Sequence, residues 1–158
     1  MASKPYFIKF IWLLLYLMVF RHVWHPSSGV SAVQERALIT SVSDANLVYE
    51  FMLSGLAIDE DNNVVMLDEE LASMKRGRVF LTLINDHIPK TTPAMEQLLV
   101  SLEEEEESVN QDKFEMLILG IIYSAYQVRK QKQEILQQAW AGVLERLMKV
   151  TLVQIRKT

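Results

Sequence analysis

Residues 59–70 read DEDNNVVMLDEE, with Asp59, Asp61 and Asn63 at relative positions 1, 3 and 5 and Glu70 at position 12. That is the oxygen spacing of a calcium loop, in which Val65 lends its carbonyl at position 7 and Glu70 closes the shell with both carboxylate oxygens. Position 6 opposes this reading. It is Val64, where such loops turn sharply on glycine, and a β-branched side chain resists the positive φ of that turn. No second copy of the loop stands elsewhere to pair with it. An ordinary connection uses the same residues with less strain. DEDNN serves as a polar turn, VVML as a short extended passage, and Asp68 with two glutamates as a helix start. The turn is the preferred reading, and calcium binding through residues 59–70 stands as the alternative.

Other candidates for chemistry are sparse. His87 follows Asp86, and an Asp–His pair is able to act as a general base. Sequence neighbours rarely adopt that geometry, however, and no nucleophile motif accompanies them. Cysteine is absent and histidine scarce, so a zinc site lacks the three or four donors it needs. Gly55, Gly77, Gly120 and Gly142 are isolated, so no glycine-rich phosphate loop exists. Lys75-Arg76-Gly77-Arg78 offers basic residues to a processing protease, but Val79, Phe80 and Leu83 continue a helical pattern through it. A solvated helix face is the simpler account, and processing at Lys75-Arg76 stays open. No catalytic residue, cofactor site or metal site is assigned, and an enzyme is not expected.

The chain that must position these residues begins with a leader. Lys4 and Lys9 precede FIWLLLYLMVF (10–20), an unbroken apolar run of 11 residues. A helix of that length spans only about 16 Å, roughly half a bilayer core. A basic flank, a short apolar run and then PSSGVSA form the pattern of a secretory signal peptide, residues 1–32, cut after Gly29 or Ala32. A retained signal-anchor is the competing reading, weakened by Arg21 and His22 closing the run early. Removing the leader leaves 13 basic and 20 acidic groups, formally −7. Residues 129–158 hold 7 basic against 2 acidic groups, which leaves residues 33–128 at −12. An acidic body with a basic last helix argues against nucleic-acid binding. The cations equally suit a helix C-terminus, where the macrodipole favours them.

Helical periodicity runs through the rest. Residues 33–43 read as a lead-in or short first helix, and 44–158 as a single helical domain. Ser43 or Asp44 caps a helix over 45–57. Asp68 caps the next, whose apolar side is Leu71, Met74, Val79, Phe80, Leu83 and Ile84, with Gly77 as a weak or bent point. Pro89 and Pro93 make NDHIPKTTP a connection, and Thr92-Pro93 starts another helix. Five glutamates (103–107) read as a solvated helix end or linker. Phe114, Leu117, Ile118, Ile121, Ile122, Ala125 and Val128 form a wide stripe, so the helix over 111–129 is expected at the centre. The last helix, about 133–156, spaces Leu136, Trp140, Val143, Leu147 and Val150 as a packing seam. The expected fold is all-α, a small antiparallel bundle of four to five helices after the signal peptide.

Four stretches, LVYEFML (47–53), DEELASM (68–74), HIPKTTP (87–93) and FEMLILGIIYSAYQ (114–127), resemble the "family with sequence similarity 180" proteins. The resemblance covers roughly 44–150, in order and after a secretory leader. It implies a small secreted protein of uncharacterised function and supplies no active-site residues to carry over. DEELASM in that pattern favours Asp68–Met74 as a helix start over a metal loop's end. The expected function is therefore protein–protein binding by a secreted helical bundle, with an unknown cell-surface or extracellular partner and no stable membrane span in the mature chain.

Overall fold

The computed structural model describes residues 38, 39, 41–53, 55–104 and 110–157. The expected leader over 1–32 and both candidate cleavage points lie outside them. The fold is an all-α bundle carrying one small hairpin: α1 (Val42–Leu53), β1 (Leu56–Ile58), β2 (Val64–Met66), α2 (Glu69–Ser73), α3 (Lys75–Asp86), α4 (Thr92–Glu103), α5 (Gln111–Lys130) and α6 (Glu134–Arg156).

The helix expected over 45–57 is shorter and starts earlier. Ser41 supplies the cap, its Oγ accepting from the Asp44 N–H at 3.1 Å, which leaves Asp44 in the first turn where the dipole favours it. Past Leu53 the chain turns on Gly55, at φ 102, a conformation that costs glycine alone little. Leu56 then enters a strand. β1 and β2 pair antiparallel, Leu56 opposite Met66 and Ile58 opposite Val64. Each strand has three residues, too few for alternation to stand out from helical spacing.

The helix expected after Asp68 is really two. Asp68 does cap, its Oδ1 accepting from the Glu70 and Leu71 N–H groups at 2.9 and 3.0 Å. Met74 then turns extended, at ψ 150, and α3 sets off in a new direction. Gly77 is the reason the corner closes: a Cβ there would overlap the Leu71 carbonyl oxygen. Asn85 and Asp86, expected in the connection, complete α3, and His87 is its C-cap. Thr91 caps α4 one residue before the expected Thr92, and Pro93 falls in the first turn, where its missing N–H costs no intrahelical bond. Glu103 ends α4, and Glu105–Glu107 lie outside the described residues.

The centre is α5, as its wide stripe predicts. Asn110 caps it through the Lys113 N–H at 2.9 Å, and eleven of its residues are buried. Tyr123 meets Trp140 edge-on at 5.6 Å. A methyl on Gly120 would reach Leu147 Cδ2 at 3.4 Å and Met95 Sδ at 3.9 Å. Pairings that advance on α5 while receding on α6 make the two antiparallel, and α4 closes on both at Gly120. On the other side, Phe51 of α1 packs against Phe80 of α3 with ring centroids 5.4 Å apart. Leu38 and Ile39, from the expected lead-in, are buried in this same core. Of the α6 seam, Trp140, Val143, Leu147 and Val150 are buried, whereas Leu136 is 42% exposed.

Candidate functional site

Three places concentrate unusual chemistry: the hairpin loop, the Glu115 carboxylate and the first turns of α6. The hairpin loop holds the residues with calcium-loop spacing, and they do not converge. Asp59 Oδ1 accepts from the Asp61 and Asn63 N–H groups at 2.9 and 2.8 Å, folding the carboxylate onto its own turn. The positive φ falls on Asn62, at 63°, a residue type that tolerates the left-handed region. Val64, which a calcium loop would bend, is instead a strand residue, and Val65 pairs with Ala57. Glu70 lies in the first turn of α2, exposed. Among the described residues no three of His, Asp and Glu are grouped to hold a metal ion.

A lysine ammonium approaches the loop from α5. Lys130 Nζ donates to the Asp59 carbonyl at 2.6 Å and to Asn62 Oδ1 at 3.1 Å. Tyr123 donates its hydroxyl to the Asn62 carbonyl at 3.0 Å and accepts from Gln127 Nε2 at 2.7 Å. Gln131 Nε2 reaches Gln127 Oε1 at 2.7 Å. Burial pushes the Tyr123 phenol up from its ordinary range, and the Gln127 bond partly offsets this. On the outer edge of β2, Asn85 imitates a third strand. Its Oδ1 accepts from the Val64 N–H at 2.7 Å and its Nδ2 donates to the Val64 carbonyl at 2.9 Å. That pairing satisfies edge groups which would otherwise invite another chain. Lys90 Nζ donates to the same Asn85 Oδ1 at 3.0 Å and stands 5.1 Å from the centre of the Tyr123 ring. Partial burial lowers its pKa, against the opposing pull of Asp59 and Asp86. Tyr123, Gln127, Lys130 and Asn85 each spend their polar groups on the scaffold. The set is a tie between hairpin and bundle.

The remaining sequence candidates are separate. His87 is exposed at the end of α3, with its backbone N–H bonded to the Leu83 carbonyl. No hydrogen bond joins its ring to Asp86 among the described residues. In the basic cluster, Arg76 Nε pairs with Asp44 Oδ1 of α1 at 3.2 Å, and the Arg78 guanidinium donates to the Ser73 carbonyl. Gly77 between them is buried. A protease would have to unwind the start of α3 to reach this stretch.

Periodicity and motif spacing give Glu115 no role. It is only 5% exposed, on the inner face of α5. Its Oε2 accepts from the Leu38 N–H at 2.9 Å and its Oε1 from the Ile39 N–H at 3.0 Å. Gln111, one turn earlier, donates to the Ile39 carbonyl at 2.9 Å. Burial pushes the Glu115 carboxyl above its usual range, and the bonds from Leu38, Ile39 and Gln111 pull back without cancelling that. The available signal was an acid embedded in the apolar run FEMLILG, where an exposed charge has no place.

The first half of α6 carries the third feature. Residues 132–139 are exposed without a break, among them Ile135 at 82%. Polar contacts from α4 fall further along: the Arg146 guanidinium pairs with Glu96 and Glu103, the latter at 2.6 Å. A Cβ on Gly142 would meet nothing within 4 Å.

Compared with known families, the chain matches the model of the FAM180 family over residues 19–154. The chain belongs to the FAM180 family. The match extends on both sides of the span that the four resembling stretches delimit. No solved structure matches this FAM180 fold. Among its described residues, no helix is long and apolar enough to cross a membrane.

Proposed function

We propose that this FAM180 chain is a small secreted helical protein that works by binding another protein, with the first half of α6 as the docking surface. One observation carries the reading: Ile135 is 82% exposed and Leu136 42% exposed on a helix whose own seam is otherwise buried. A single exposed leucine is ordinary, but adjacent large aliphatics beside Ala139 and Gly142 form an uncovered strip on a rigid element. Contiguous exposed apolar surface rimmed by polar residues marks protein interaction sites. Lys132 precedes it and Glu134 opens the helix beside it. The leader at 1–32 supports export. Asp86 and His87 are given no catalytic part.

The test uses tagged mature protein, residues 33–158, displayed to cells for proximity labelling. The Ile135→Asp/Leu136→Asp variant should retain its helical circular dichroism and melt within about 2 °C of the unmodified chain, because both positions already face water. Capture of the labelled partner should fall at least tenfold. Undiminished capture by the folded variant would remove α6 as the docking surface. A tagged full-length chain found only in the cell membrane fraction, rather than in the medium at roughly 14–15 kDa, would remove secretion.

A further inference from the structure

The buried grip of Glu115 on Leu38 and Ile39 is a recognition geometry, and it recognises backbone. Two successive N–H groups converge on one carboxylate, and the intervening chain is bent rather than extended at Leu38. Consecutive amides that point the same way form an anion-holding concavity. Gln111 completes the reading by donating to the carbonyl that follows, that of Ile39. Both side chains of the pair are buried, at 2% and 4% exposure. α5 thus holds three backbone groups of a segment more than seventy residues away in sequence, whose two aliphatic side chains are buried in the core. This hold uses no helix or strand ladder.

We propose that this cleft on α5 is a peptide-binding site occupied by the chain's own residues 38–39. It takes, in trans, a short peptide that presents two successive large aliphatic residues with free amide N–H groups. The segment acts as a built-in competitor for such a ligand.

Two physical arguments support exchange. A strap held only by apolar contact leaves bare hydrocarbon when it lifts, with nothing to offset the loss. Here, lifting it lets a buried carboxyl return to water, and that hydration recovers part of the cost of opening. Local openings span free energies from near zero up to that of global unfolding, and the proposal places this strap at the low end. The competitor is also strong because it is tethered. A short tether gives an effective concentration in the millimolar range, so a free peptide reaches the site only when it outcompetes that. Disabling the strap therefore raises the apparent affinity for a peptide without altering the cleft. The proposal rests on α5 and is independent of the α6 surface, so either one fails without the other.

The experiment uses the mature chain, 33–158, and the synthetic decapeptide QERALITSVS, which copies residues 34–43. Amide exchange followed by NMR should find the Leu38 and Ile39 N–H groups exchanging at least a hundredfold faster than the buried amides of α5. The Leu38→Asp/Ile39→Asp chain, whose strap no longer suits an apolar cleft, should bind the peptide at least tenfold tighter than the unmodified chain. Adding Glu115→Gln to that background should abolish the gain, because an amide turns one of the two acceptors into a donor. A folded strap variant that ignores the peptide overturns the proposal. So do Leu38 and Ile39 amides that exchange only through global unfolding. If the double variant does not fold, Ile39→Ala replaces it, and failure of that milder change to tighten peptide binding is equally decisive.

Discussion

Glu115 sits where burial and hydrogen bonding pull one carboxyl in opposite directions. Its two N–H donors and Gln111 favour the charged form, while loss of water favours the neutral one and outweighs them, helped slightly by the negative charge of Asp112. The native state therefore keeps this proton over an interval in which the unfolded chain has already lost it. Stability from this group is complete below the ordinary carboxyl value of 4.5 and is lost as pH rises through the raised folded value. Glu115→Gln cannot ionise, and it sets an N–H donor against another donor, at a cost of roughly 1–3 kcal/mol. The stability gap between the unmodified chain and Glu115→Gln should narrow as pH rises from about 4 to 7, read from urea midpoints at each pH. A widening gap would mean that the N–H bonds prevail over burial. Asp59 poses a simpler problem at the same scale. Its carboxylate is engaged with the Asp61 and Asn63 amides, and Lys130 already brings a cation to the neighbouring carbonyl. Calcium up to about 1 mM should leave the melting temperature unchanged, since a ligand binding the native state alone at 100 times its Kd would add about 2.7 kcal/mol. A rise of several degrees, lost in Glu70→Gln, would restore the calcium reading.

Among the elements, the long helices were legible and the corners were not. α4, α5 and α6 announce themselves because a buried face recurs every three to four residues over many turns, and Thr92-Pro93 marks a start that needs no tertiary context. Helical spacing draws Leu56 and Ala57 into the helix over 45–57, because Leu56 continues the spacing of Phe51 and Met52. Only the backbone, with Gly55 at φ 102, separates them. The break at Met74 has one composition signal, Gly77 three residues later, and the other residues from Glu69 to Asp86 are compatible with one continuous helix. It is set by tertiary packing, and Gly77 is its trace. Leu136 fits the period of the seam yet is 42% exposed, since spacing cannot say how far the partner helix extends. Two glycines expose the difference between a corner and a free face. Gly77→Ala forces a methyl into the Leu71 carbonyl and should destabilise by roughly 3 kcal/mol, beyond what any gain in helix propensity offsets. Gly142→Ala meets open space and should stabilise by about 0.5–1 kcal/mol through propensity alone. Thermal melts of the two variants should move in opposite directions. A neutral Gly77→Ala would mean that α2 and α3 can straighten.

Across the whole molecule, α5 is the element through which distant parts of the chain are joined. Its first turns grip residues 38–39, its middle meets α4 and α6 at Gly120, and its last turns hold the hairpin loop. Sequence separations of 61 to 77 residues are spanned by side-chain bonds to backbone, so the N-terminal third is fastened to a bundle formed largely by residues 92–156. This arrangement predicts how stability is divided. Tyr123→Phe removes a buried hydroxyl that both donates to Asn62 and accepts from Gln127, and Lys130→Met removes the ammonium from the same loop. Each should cost roughly 1–2 kcal/mol. Both act on Asn62, one through its carbonyl and one through its side chain, so their effects should not add. A double-mutant cycle should return a coupling of at least about 0.5 kcal/mol, whereas either change paired with Glu96→Ala on α4 should add within error. Exchange rates carry the same prediction into space. In Lys130→Met the amides of residues 59–66 should lose protection while those of α5 and α6 keep theirs, because the hairpin is tied to the bundle and does not support it. Equal loss of protection in both regions would show instead that hairpin and bundle unfold as a single unit, with the loop as much a part of the core as Gly120.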